Sequence, residues 1–242
     1  MEHKLPGGPI ANRPLHFIFI ADCSYSMAGG KIQALNHAIR EAIPHMREVA
    51  HGNPNAEVLV RALKFSSGAQ WHVSQPTAVD EFEWTDLSAN GMTSMGQALR
   101  LVTDDALKTP PMPERALPPV LVLISDGQPT DDFEGGLQTL MAEPWGKKAV
   151  RLAIAIGEDA DTHVLQRFIG HAEIQPLQAN NSQDLVNYIR WASTAVLQAA
   201  SAPASQTASA APASQSSAAP AGINVPLPPS PKPDPSGAND VW

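Results

Sequence analysis

Asp22, Ser24 and Ser26 stand at positions i, i+2 and i+4 of the string Asp22-Cys23-Ser24-Tyr25-Ser26-Met27. All three offer oxygen donors, and oxygen ligands suit a hard divalent cation such as Mg²⁺. Two distant segments add donors of the same kind. Gly91-Met92-Thr93-Ser94-Met95-Gly96 places Thr93 in a glycine-flanked loop ahead of a helical pattern over 97–107. The apolar run Val120–Ser125 ends in Asp126-Gly127. Each fragment alone also fits a plainer reading, in which such hydroxyls and carboxylates cap helices and turns.

The elements around these residues give the chemistry a location. His16 to Ala21 (HFIFIA) is aromatic and β-branched, so a buried strand is expected, with Asp22 at its C-terminal end. Val120–Ser125 (VLVLIS), Glu57–Phe65 and Val150–Ile156 read as further strands, and Ala69–Val73 as a short antiparallel partner. Helical patterns are expected over 30–50, 97–107, 135–142, 161–170 and 182–200, with Ser182 as an N-cap. Pro44 falls inside the first pattern and predicts a kink or a break. A short strand is expected over 174–177. Strands alternating with helices predict an α/β fold: a doubly wound, mainly parallel sheet covered on both faces. Ligands bind such sheets at the C-terminal ends of their strands, where all three loops would lie.

Together the pieces resemble the metal-ion-dependent adhesion site of von Willebrand factor A domains, built from Asp-x-Ser-x-Ser, a distant Thr and a distant Asp. The resemblance spans about residues 14–200 and implies a six-stranded Rossmann-like sheet with one short antiparallel edge strand. It also implies a metal site on Asp22, Ser24, Ser26, Thr93 and Asp126, for Mg²⁺ or alternatively Mn²⁺ or Ca²⁺. The hydroxyls would touch the ion directly or through water. The two acids would mostly hold waters and hydroxyls. Such a site grips an Asp or Glu carboxylate of a protein partner, which implies a binding device and not an enzyme. Tyr25 stands where the family commonly has a small residue, and would either crowd the metal or touch the partner.

PLHFIFIADCSYSMAGGKIQALNHAIREAI, WTDLSANGMTSMGQAL and VLVLISDGQPTDD further resemble the TerY-type, tellurium-resistance-associated group. That resemblance implies a bacterial stress or defence setting beside a Ser/Thr kinase and a metal-dependent phosphatase. The alternatives are a subunit of a chelatase-like AAA ATPase machine or a metal-dependent hydrolase.

Other candidates are weaker. His37 and His45 share a helical pattern without a third ligand. Asp104-Asp105 and Asp131-Asp132 suit helix ends, although Asp131 could instead line the metal face. No nucleophile elbow, P-loop or dinucleotide fingerprint occurs.

The net charge of −8 argues against a nucleic-acid surface. Cys23 is the only cysteine, which excludes an intrachain disulfide and suits a reducing cytoplasm. No stretch approaches the ~20 apolar residues of a membrane span. Residues 1–13 read as a polar leader. Residues 201–242 hold nine of the 23 prolines and three charged residues, so a disordered tail is expected. Its end, Asp240-Val241-Trp242, is a candidate docking motif, because Trp is a common binding anchor.

Overall fold

A computed structural model describes residues 12–53 and 56–201. The expected leader (apart from its last two residues), most of the expected tail, and Asp240, Val241 and Trp242 lie outside the described residues.

Six strands form one sheet in the order β3-β2-β1-β4-β5-β6. They are β1 (Arg13–Asp22), β2 (Ala56–Phe65), β3 (Ala69–Ala78), β4 (Val120–Ser125), β5 (Val150–Ile156) and β6 (Leu177–Ala179). Every pairing is parallel except that of β2 with β3. The apolar runs of β1 and β4 are continuous because both faces of the sheet are covered. Leu15, Phe17, Phe19 and Ala21 pack against α1 (Gly30–His51) and α6 (Ser182–Trp191). Ile18 and Ile20 point the other way, toward α2 (Met95–Val102), α3 (Phe133–Ala142) and α5 (Thr162–Ile169). The short helices α4 (Pro144–Lys148) and α7 (Leu197–Ser201) complete the two layers.

The chain leaves β1 toward β2 on one side and reaches β5 from β4 on the other. The crevice between the ends of β1 and β4 is therefore the switch point of the sheet, where ligands of such folds bind.

Several local expectations are corrected. The antiparallel strand is not short: β3 spans ten residues. Ser74, Gln75 and Pro76 are poor strand formers, but they are exposed on the outermost strand, where an unpaired edge tolerates them. Pro44 does not break α1, which runs through all 22 residues. The proline is exposed, so water can meet the carbonyl that loses its donor. The short strand forms at Leu177–Ala179, after Pro176 and not around it. The cap of α6 is Asn181, whose side chain accepts from the Asp184 amide at 2.9 Å. The helical patterns over 97–107 and 182–200 each pass through a wider turn, at Thr103–Leu107 and Ala192–Val196.

Candidate metal centre

The β1–β4 register sets Ala21 opposite Ile124, so Asp22 and Ser125 emerge side by side. One Asp22 oxygen accepts the Ser24 amide at 2.8 Å, which turns the chain back at the strand end. The other accepts the Ser125 hydroxyl at 2.5 Å. Ser125 Oγ in turn accepts the Gly127 amide at 2.8 Å, which shapes the turn carrying Asp126. A single helical turn at Tyr25–Met27 then brings Ser24 Oγ and Ser26 Oγ to 3.0 Å.

The Thr93 loop is fastened to both of these loops. The Asn90 amide donates to the Cys23 carbonyl at 2.8 Å, and the Tyr25 amide to the Gly91 carbonyl at 3.0 Å. On the other side, the Thr93 amide donates to Thr130 Oγ1 at 3.0 Å, and the Thr130 amide to the Thr93 carbonyl at 2.9 Å. Gly91 has φ +77°, and a Cβ there would lie 2.4 Å from Ser67 Oγ, so this loop needs glycine. Asp131 faces α2: its carboxylate accepts the Gly96 and Gln97 amides at 2.9 and 2.8 Å. It caps α2 and thereby holds the segment after Thr93. Asp132 caps α3 through the Gly135 amide and pairs with Arg100.

Electrostatically the site is under-compensated. Asp22 and Asp126 are 0 % and 1 % exposed. Burial pushes the Asp22 carboxyl up to about 6, and the Asp126 charge adds to that, against the hydrogen bonds from Ser125 and Ser24. Asp126 Oδ1 is buried without a hydrogen-bond partner. Buried carboxylate oxygens are rarely left so, and a divalent cation relieves both the orphan oxygen and the repulsion. Asp22, Asp126, Ser24, Ser26 and Thr93 supply only oxygen donors, which fits a hard cation. Among the described residues no three His, Cys, Asp or Glu side chains cluster, so hydroxyls must complete any coordination here.

Tyr25 is 76 % exposed and Met92 is 56 % exposed. Tyr25 therefore projects from the rim, where it is available for contact. Cys23 is buried, and its thiol is pushed up to about 12 by burial and by Asp22. It behaves as a small packed residue. His37 is exposed and takes no part in the site.

This arrangement accompanies a profile match. The von Willebrand factor type A domain profile matches residues 17–188. The chain belongs to the von Willebrand factor type A domain family. The mussel byssus proximal thread matrix protein 1, solved with a zinc-occupied MIDAS motif, is similar at TM-score 0.60 and 14 % identity, covering 77 % of this chain and 48 % of that one. The ArnB paralog VWA2 from Sulfolobus acidocaldarius matches at TM-score 0.54 and 17 % identity, over 73 % of this chain and 44 % of that one. Manganese-loaded TRAP protein from Plasmodium vivax matches at TM-score 0.50 and 17 % identity, over 74 % of each chain. At these identities the likeness concerns the fold. This von Willebrand A chain spans just under half the length of the mussel and archaeal proteins. No match is found among curated protein sequences.

Three residues escaped the sequence reading. Ser125 was only the end of a strand, Thr130 a loop residue and Met92 part of the Thr93 string. Only the folded loops give them partners or exposure at the rim.

Proposed function

We propose that this von Willebrand A domain is a non-enzymatic, divalent-metal-dependent interaction module. Its ligands are Asp22, Ser24, Ser26, Thr93 and Asp126, and its metal is Mg²⁺ or Mn²⁺. The observation that carries this reading is the buried, unpartnered Asp126 Oδ1 beside the Asp22–Ser125 pair. A cation held there supplies an electrophilic position for a carboxylate oxygen, here an Asp or Glu of a protein partner. Exposed Tyr25 and Met92 flank that position and add apolar contact.

Two features favour binding over catalysis. Both Asp22 oxygens accept hydrogen bonds from within the site and the carboxylate is buried, which suits a fixed ligand better than a general base that must exchange protons with a substrate. The Cys23 thiol is held protonated in the core and is no nucleophile. The finer role rests on the likeness to the TerY-type group. In that reading the domain acts in the bacterial cytoplasm, with a Ser/Thr kinase and a metal-dependent phosphatase, in stress or defence signalling. Among the described residues no helix is long and apolar enough to cross a membrane.

Calorimetric titration with Mg²⁺ and Mn²⁺ tests the site. Asp22→Ala and Thr93→Ala should abolish binding while the fold persists. Unchanged affinity in both variants removes the reading. Affinity capture with and without EDTA, followed by mass spectrometry, tests the partner class.

A further inference from the structure

A second pocket opens at the opposite end of the sheet. His16 precedes Asp22 by six residues along β1, which separates them by roughly 20 Å. His16 on β1 and Arg61 on β2 sit on neighbouring strands and line one cavity of about 430 Å³. Trp71 of β3, the wide turn after α2 and the loop bearing Pro111 and Met112 line its other sides, and it opens to solvent past Ser74–Pro76.

Its polar inventory does not balance. His16 and Arg61 are each 6 % exposed, yet both ring nitrogens of His16 and Nε of Arg61 lack hydrogen-bond partners. More than nine in ten buried polar groups are normally satisfied, so three orphans on two side chains lining one cavity require a reason. Arg61 is held in place by two other contacts. Its guanidinium lies 3.6 Å from the Trp71 ring centroid, and Nη1 donates to the Asp105 carbonyl at 3.1 Å. The acids at the mouth are engaged as well. Asp105 accepts from Trp71 Nε1 at 2.8 Å, and Asp104 pairs with Lys108 at 2.6 Å. What remains is a cationic N–H donor beside an imidazole that can donate a second hydrogen bond. The complement is an anionic oxygen pair. The cavity far exceeds the ~30 Å³ share of a water and falls within the usual range of small-molecule sites. Pro111 and Met112 give it an apolar wall.

We propose that this pocket binds a small organic anion, its carboxylate or phosphate on Arg61 and His16 and its apolar body against Pro111 and Met112. The site is independent of the metal centre and adds a ligand-binding function to the domain.

The test is a titration of the full chain, in EDTA, with benzoate, phenyl phosphate and inorganic phosphate. Nitrogen–proton NMR follows the Arg61 Nε–H and Trp71 Nε1–H resonances. Benzoate or phenyl phosphate should shift both saturably at millimolar concentrations, and the tighter of the two assigns the head group. Arg61→Gln and His16→Gln, the latter read at Arg61 Nε–H, should each weaken binding roughly ten- to hundredfold. Asp22→Ala should leave it unchanged. Saturable shifts from none of the probes would mean that water alone satisfies these nitrogens, and the proposal fails. It fails equally if His16→Gln, the milder variant, binds as tightly as the parent, or if inorganic phosphate binds as well as phenyl phosphate.

Discussion

The Asp22 carboxylate and the Ser125 hydroxyl meet at 2.5 Å although they stand 103 positions apart in the chain. This bond joins the ends of the two strands between which the sheet reverses direction. It also fixes the orientation of a carboxylate whose other oxygen turns the Ser24 loop. Ser125 is thus a positioning residue for the metal centre.

Ser125→Ala should strip Asp22 of a buried donor and the Gly127 amide of its acceptor. We expect a destabilisation of about 1–3 kcal/mol in urea unfolding. Metal affinity should fall roughly 10–100-fold, the usual effect of losing a ligand-orienting partner. Calorimetry showing parental affinity would mean that Asp22 needs no such support.

Metal should stabilise the fold by linkage. Mg²⁺ or Mn²⁺ at a hundred times its dissociation constant should add about 2.7 kcal/mol to unfolding stability, seen as a higher Tm. Asp126→Ala should abolish that increment. A Tm that ignores both ions in the parent chain would count against a preformed site.

His16 gives a defined pH dependence. Burial, then the Arg61 charge, lowers it from 6.5 to about 4. Above pH 6.5 the ring is neutral in both folded and unfolded chains and has no effect. As pH falls from 6.5 toward 4, only the unfolded chain takes up the proton, so stability is lost, by up to about 3 kcal/mol. Asp22 acts in the opposite sense. Its raised folded value means that stability is gained as pH falls through about 6 toward 3.8. The two partly cancel in the parent chain. The His16 contribution therefore appears as a difference: His16→Gln should resist acid better than the parent in chemical denaturation between pH 7 and 4.5. Arg61 keeps its charge across this window, and Asp104 and Asp105 stand at the pocket mouth in both proteins. Parallel pH profiles would show that His16 titrates normally.

Gly91→Ala should loosen the Thr93 loop. The left-handed backbone costs a side chain roughly 1–2 kcal/mol, before the clash with Ser67 Oγ is counted. Thermal melting should register the loss, and metal affinity should drop with it. A melting temperature equal to the parent's would show that the loop relaxes freely.

Local patterns alone were enough to locate β1, β2, β4 and β5, the long helices between them and the Asp22-Cys23-Ser24-Tyr25-Ser26 turn. Apolar runs bury themselves whatever surrounds them, and a carboxylate two residues before an amide folds back on it unaided. The cap at Asp161, with Gly170 left-handed at the far end of α5, is local in the same sense. Features that depend on neighbours were decided only by the tertiary structure. β3 extends through Ser74–Pro76 because it lies at an edge, and α1 survives Pro44 because that face meets solvent. Asp131 was ambiguous until α2 presented its amides. Ser125 carries no signal of its own until the β1–β4 register sets it beside Asp22. His16 and Arg61 lie 45 positions apart in strands that read as ordinary core, and only parallel pairing of β1 with β2 brings these two side chains, each with unpartnered nitrogens, to the lining of one cavity. Burial and hydrogen bonding are properties of pairs of residues, and which residues become pairs is settled by topology.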